Sequence, residues 1–243
     1  MLQEKLQAIV LSSSDYGESD RIATLFTLEH GRIKGFARGA RNSRKRFGPA
    51  LETFARINLQ LLRKDGLSSL KQADVITLYS GIRGELSSIA HALYACELVE
   101  SITPEGHPVP RLYRLLTTYL ERLDSGAGNP EDRRMFEINL LNILGYRPLL
   151  EKCSRCGADF GERGALIQSG GELACRICAA TGFPMPIQAL RELRSCLSTG
   201  RFGLVRFTAD GILPVGRLLD DVIVSHTGRK LKSLDFLRQT SQM

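Results

Sequence analysis

The sequence predicts an α+β protein in two parts. A small closed β-barrel is expected over residues 1–80, and an α-helical domain over 81–243 with a cysteine-rich insertion at 150–183. Three observations carry this expectation. Short alternating apolar runs, divided by turn residues, fill the first part. Near Gly81–Gly84 the apolar spacing changes from two to three and four. Two Cys-x-x-Cys pairs then interrupt the helical part. With 243 residues, 43% of them hydrophobic, the chain is long and apolar enough to bury a sizeable core in one or two domains.

The first run is Leu6–Leu11, followed by a polar turn over Ser12–Ser19. Ile22–Leu28 is the second run, although Ile22, Leu25, Phe26 and Glu29 also fit a helical spacing. Glu29-His30-Gly31 turns the chain into a third strand, where Phe36 has the pattern of a barrel-core residue. Phe54–Leu62 alternates, Asp65-Gly66 breaks it, and Leu67–Leu78 closes the set. Five strands in about eighty residues suit a small barrel of the SH3-like or OB kind.

The helical part opens with Ile82, Leu86, Ile89, Leu93 and Cys96 on one face. Pro104, Pro108 and Pro110 break it before a second helix carrying Leu112, Leu116, Leu120 and Leu123. A third helix runs Glu131–Leu144, with Gly145 as its C-terminal stop. Pro186–Leu197 and Val215–Val224 supply two more, and a short tail carries Leu231, Leu234 and Leu237.

Charge is concentrated rather than spread. The net charge is +7, and the stretch Gly31–Pro49 holds Arg32, Lys34, Arg38, Arg41, Arg44, Lys45 and Arg46 with no carboxylate. A strand running into such a loop is a natural seat for phosphates, because each neutralised phosphate releases condensed counterions. These seven cations are therefore the candidate nucleic-acid contacts, and Phe47, beside Gly48-Pro49, is either a stacking platform or a simple packing residue. With no tryptophan and 7% aromatic residues, recognition by charge is expected to outweigh extensive base stacking. A second basic surface could come from Arg111, Arg114, Arg122, Arg133 and Arg134, or from Arg229, Lys230 and Lys232.

Cys153-x-x-Cys156 and Cys175-x-x-Cys178 are separated by eighteen residues, in which Gly161, Gly164, Gly170 and Gly171 lie around the short run Ala165–Gln168. That layout reads as two knuckles on a small β-hairpin holding one structural Zn²⁺, because four thiolate ligands leave no open coordination position. Lys152, Arg155 and Arg176 sit beside the ligands and can offset their charge. Cys96 and Cys196 lie on apolar helical stretches and read as core residues. The chain has no apolar run near the ~18 residues of a membrane span. Its N-terminal segment does not resemble a signal peptide, so a cytoplasmic location with reduced thiols is expected.

Three stretches carry a family resemblance: Ala8–Leu51, with Tyr16-Gly17-Glu18, His30-Gly31-Arg32 and Gly39-Ala40-Arg41; Phe136–Gly157, with Leu144-Gly145-Tyr146 leading into the first cysteine pair; and Gly170–Cys178. In these the chain resembles the bacterial recombination mediators of the RecO family. The resemblance implies an OB-fold barrel, a helical domain and an inserted zinc finger. It implies a protein without enzymatic turnover that binds single- and double-stranded DNA and anneals complementary strands. It also implies work with RecR to load RecA on DNA coated by single-stranded DNA-binding protein. The implied partners are RecR, RecF and the acidic C-terminal tail of that coating protein, and the implied setting is the bacterial nucleoid.

Two other classes fit parts of the pattern. An enzyme such as a nuclease or zinc hydrolase lacks support, since no HExxH, P-loop or paired DxD motif occurs and His30, His91, His107 and His226 are scattered. An RNA-binding or ribosome-associated zinc protein with an OB-fold would share the layout and is separated by its preference for RNA.

Overall fold

Alternation carries the first part of the chain into five strands, β1 (Gln3–Tyr16), β2 (Asp20–Thr27), β3 (Gly31–Ala37), β4 (Arg56–Leu62) and β5 (Leu67–Thr77). The computed structural model describes residues 3–43, 45–64 and 66–240, with the side chain of Arg238 excepted. The strands close into a barrel in the order β1-β2-β3-β5-β4. Neighbours are antiparallel except β3 and β5, which run parallel. β1 pairs with β4 through Gln3–Ile9 and with β2 through Ala8–Tyr16, with a register shift between Val10 and Ser12. A shift of that kind bends a strand, which lets one long strand serve two neighbours and close the barrel. This is the OB-like barrel that the sequence predicts.

The core follows from the inward half of each alternation. Ala8, Val10, Leu25, Ile33, Ile57, Leu59, Leu61 and Leu70 are among its buried members. Gly35 points inward as well, and a Cβ there would run into the side chain of Leu70, so β3 and β5 approach only because the residue is glycine. The helical alternative for Ile22–Leu28 does not occur: Ala23, Leu25 and Thr27 point inward at a spacing of two. β1 also runs further than Leu11. Ser13, Ser14 and Asp15 stay in register with β2, so the polar turn shrinks to residues 17–19.

The helices are α1 (Ser80–Gly84), α2 (Leu86–Ile102), α3 (Pro110–Asp124), α4 (Pro130–Leu144), α5 (Ile187–Thr199), α6 (Ala209–Thr227) and α7 (Lys232–Thr240). Among the described residues no helix is long and apolar enough to cross a membrane. α6 starts six residues before the apolar pattern suggests. Pro214 lies close enough to its start to delete a single backbone bond, the one to the Asp210 carbonyl. Gly145 ends α4 with φ 80°, the left-handed cap the sequence predicts.

Packing divides the chain differently from the change of period at residue 80. One compact unit comprises the described residues of Met1–Gly126 and Leu231–Met243, the other Ala127–Lys230. In the first unit α2 lies against β1, and Phe26 on the outside of β2 packs on Tyr113 of α3 with ring centroids 6.2 Å apart. The first three helices thus cover one part of the barrel wall, which is why the compact unit extends past the last strand. α7 belongs to this unit too. Glu97 of α2 accepts from the backbone N–H groups of Lys232 and Ser233 at 3.0 and 2.8 Å and from the Ser233 hydroxyl at 2.6 Å. Leu231, Leu234 and Leu237 are buried, so the expected tail is a docked helix.

The second unit contains α4, α5, α6 and the cysteine insertion. Glu137 is fully buried on α4 and accepts from Arg134 at 2.8 Å, and Arg134 also reaches Asp220 of α6 at 3.2 Å. Burial raises the Asp220 carboxyl, against the lowering effect of Arg134. The insertion folds as β6 (Ala165–Ile167), β7 (Leu173–Ala174) and β8 (Phe183–Met185) in the order β7-β6-β8. The expected hairpin is β6–β7, and β8 adds a third strand to its free edge.

Candidate nucleic-acid interface and metal centre

The four knuckle cysteines converge. The sulfurs of Cys153, Cys156, Cys175 and Cys178 all lie within 4.8 Å of one another. Each pair is built on the same turn, with Gly157 N donating to Cys153 O at 2.9 Å and Ala179 N to Cys175 O at 3.0 Å. Gly157 has φ 73°, which releases the chain sharply after the first pair. The knuckles are tied together: Ser154 N donates to Leu173 O at 3.0 Å, and the Cys175 N–H donates to the Cys153 sulfur at 3.2 Å. Arg155 adds a brace, donating to Glu172 at 3.1 Å and to the Cys178 carbonyl at 2.9 Å.

All four thiols are free. Cys156 and Cys175 sulfurs are 3.8 Å apart. That separation is far beyond a disulfide of about 2.05 Å. It equals the edge of ~3.8 Å of a sulfur tetrahedron around a metal bound at about 2.3 Å, and is compatible with zinc. The protons of the cluster are unequally held. Desolvation acts to raise Cys153, but N–H groups of Cys175, Cys156 and Arg155 outweigh it and bring the thiol down to about 6. Cys178 is pushed up to about 12, chiefly by its bonds with the Cys156 and Cys175 thiols. Sulfurs this close cannot all ionise beside one another without a cation, and a divalent ion at their centre removes that repulsion. These four residues can therefore hold a metal ion.

In the first unit, the basic loop is folded back on the barrel rather than extended. Gly39 N donates to Asp20 at 2.7 Å, Ala73 N donates to Arg46 O at 2.9 Å, and Phe47 is in the barrel core with 2% exposure. Phe47 thus anchors the loop and seats the Arg46 guanidinium, 5.2 Å from its ring centroid, instead of offering a face to a base. Arg46 also donates to the Arg38 carbonyl at 2.8 Å and to Ser43 at 2.9 Å. Beside the anchored loop lies a cleft of about 410 Å³ between β3 and β5. Its cationic lining is Arg38, Arg46, Lys64 and Lys71, with no carboxylate among the described residues, and Phe36, Leu67 and Ser69 form its walls.

The other expected contacts separate. Lys34 is exposed on the outer face of β3, next to the cleft, and Lys45 is exposed on the loop. Arg41 is drawn to the β1–β2 hairpin, donating to Glu18 O at 3.0 Å and lying 3.6 Å from Asp15. Arg32 is half-buried and donates to Thr103 O at 2.9 Å, while its own carbonyl accepts from Gly106 N at 2.8 Å. It tethers the segment before α3 to the barrel, so its guanidinium is engaged within the protein. Arg44 lies outside the described residues. Lys64 and Lys71 were not among the residues the charge run singles out. The parallel β3–β5 pairing brings them there, with Lys34 opposite Leu67 and Phe36 opposite Ser69.

The comparisons with known proteins settle the family. A profile described as "Recombination protein O N terminal" matches residues 1–79, and one described as "Recombination protein O C terminal" matches 83–235. A protein named DNA repair protein RecO from Pelobacter propionicus is 58% identical over 99% of this chain and 98% of its own length. The chain belongs to the RecO family. RecO proteins of Geobacter sulfurreducens and Myxococcus xanthus are 49% and 40% identical, over 97% and 96% of both chains respectively. Membership makes it a DNA repair protein by family and agrees with the barrel-then-helices order. Of the second basic surface, Arg111 and Arg114 are exposed near the start of α3, whereas Arg133 and Arg134 pair with buried Glu137 at 3.4 and 2.8 Å. Those two arginines stabilise the interior of the second unit and do not form a free basic face.

Proposed function

We propose that the chain is a non-enzymatic DNA repair and recombination mediator that binds single- and double-stranded DNA chiefly through phosphates. The observation that carries this reading is the cleft of Arg38, Arg46, Lys64 and Lys71, with no carboxylate among the described residues, beside Lys34. An OB barrel commonly binds strands across its second and third strands and the adjoining loops. An anchored loop of this kind presents its charges with little ordering cost. Annealing requires more positive surface than one strand neutralises, and Lys45, Arg111 and Arg114 are exposed candidates for the second strand. In this reading the protein anneals complementary strands in the bacterial cytoplasm at the nucleoid. With RecR it promotes RecA loading on DNA coated by single-stranded DNA-binding protein, with that protein's acidic tail and RecF as further partners.

Zinc in the four-cysteine site is structural in this reading. Four protein ligands leave no position for a reacting water, and Cys153, Cys156, Cys175 and Cys178 hold together strands only two and three residues long. The RNA-binding alternative is not favoured, because the relatives are named for DNA repair.

The test is the salt dependence of binding to a labelled single strand. Replacing Arg38, Arg46, Lys64 and Lys71 together by alanine should make the log–log slope shallower by about 2.8, from roughly 0.7 per lost contact on a single strand. An unchanged slope in a folded variant moves the binding site off this cleft. Tighter binding to RNA than to single-stranded DNA of equal length would restore the alternative.

A further inference from the structure

The outer face of the barrel carries an apolar step that phosphate binding does not require. Strand pairing sets Ser14, Ile22, Phe36 and Ser69 in one row across β1, β2, β3 and β5. Tyr16 is two residues beyond Ser14 and so stays on that face. It is 58% exposed and meets Phe36 edge-on, with ring centroids 6.0 Å apart and planes at 83°. The two rings therefore do not stack on each other. Phe36 is half-buried and walls the cationic cleft, and Leu67, 41% exposed, continues the apolar line across β5. Elsewhere on this sheet an outward aromatic is covered: Phe26, four residues past Ile22 on β2, packs under Tyr113 of α3. At the Phe36 end the ring neighbour is Tyr16, which comes from a strand and not from a helix. Aromatic surface lies open directly beside Arg38, Arg46, Lys64 and Lys71.

We propose that Tyr16 and Phe36 form a stacking platform for an unpaired nucleobase, so that this face of the barrel prefers single strands to duplex. The inference rests on the phosphate-binding reading above and adds the chemistry that a charged cleft alone lacks. Cations attract any polyanion, paired or not. A ring face selects bases whose own faces are free, and it tolerates every sequence because every base has a π-face. In a duplex those faces are already stacked on one another, and reaching the platform would require unstacking a pair. Phosphates in the cleft and a base on the aromatic step thus describe one single strand crossing β2, β3 and β5. Duplex is left to the cations.

Three probes of equal length separate the two chemistries: an oligothymidylate, a strand of abasic sugars with the same phosphates, and a blunt duplex. Wild-type protein should bind the thymidylate about tenfold more tightly than the abasic strand, the order expected for one stacked base. Tyr16→Ala should remove most of that preference, leaving abasic and duplex affinities and the salt slope as they were, and Phe36→Ala should remove the preference as well. Phe36→Leu keeps the packing volume without the ring and should behave like Phe36→Ala. Tyr16→Ala lies on an exposed hairpin, so it serves even where a Phe36 variant unfolds. The chain has six tyrosines and no tryptophan, so quenching of tyrosine emission by thymidylate reports on the ring directly and should shrink in Tyr16→Ala. Equal wild-type affinity for thymidylate and abasic strand overturns the platform while leaving the phosphate reading in place. So does an equal loss on all three probes in Tyr16→Ala. An unchanged salt slope in the four-cation variant overturns the phosphate reading, and the platform falls with it.

Discussion

The barrel and the cysteine insertion are both small β-structures, yet they hold together in opposite ways. The barrel has strands of seven to fourteen residues closed on themselves around a continuous apolar core. Its stability is distributed over many side chains. The insertion has strands of two and three residues beside four sulfurs brought within 4.8 Å, which could hold one metal ion. A fold can be specified by a pattern repeated along the chain or by a few ligands, and the two kinds fail differently.

Metal removal should separate them most. A chelator, or Cys153→Ser, should cost the insertion on the order of 10 kcal/mol of metal-linked folding. Hydrogen exchange would then rise in β6 and β7 while β1 and β4 stay protected. Protection that survived in β6 of metal-free protein would show that Leu166, Ile167 and Leu173 suffice as a core, and the contrast would disappear.

The reverse experiment targets the barrel. Leu59 is 1% exposed in the middle of β4, so Leu59→Ala should cost about 2–5 kcal/mol in denaturant unfolding, from lost transfer energy plus a residual cavity. Bound metal per chain should not change. A smaller contrast lies within the first unit. Glu97→Ala removes the acceptor for two backbone N–H groups and a hydroxyl at the start of α7, and should cost about 0.5–2 kcal/mol, as for loss of a helix cap. Proteolysis should then cut near Leu231 before it cuts the barrel. Cleavage of both at one rate would mean that the helix and barrel unfold as a single unit.

The same contrast explains what could be read from the sequence. The convergence of the four cysteines was legible because their spacing alone points to it. The strands were legible because alternation survives in Leu59, Leu61, Ile57 and their neighbours. The placement of Phe36 and Phe47 is the reverse of what their local pattern suggests: Phe47 is in the core and Phe36 lies on the outer face. On β3 the inward positions are Ile33, Gly35 and Ala37, so two small residues hide the buried face and the outward Phe36 looks like core. Phe47 sits in an irregular loop whose burial depends on how the barrel closes. Lys64 and Lys71 reach the cleft through a parallel pairing that no local pattern encodes. Arg32 carries the charge of a phosphate contact but meets a backbone carbonyl from residue 103. The docking of α7 hangs on a carboxylate 135 positions away from Lys232. Local order was readable, and partners distant in sequence were not.

The docking of α7 on α2 bears on how the molecule is made. Residues 231–240 complete the unit that contains the barrel, but a ribosome delivers them only after all of Ala127–Lys230 has emerged. Folding during synthesis proceeds from the N-terminus, domain by domain. The nascent barrel and α2 must wait, with the apolar seat of Leu231, Leu234 and Leu237 uncovered, while the unit that holds the four cysteines is translated and folds. Loss of residues 231–240 would therefore injure the half of the protein that was built first.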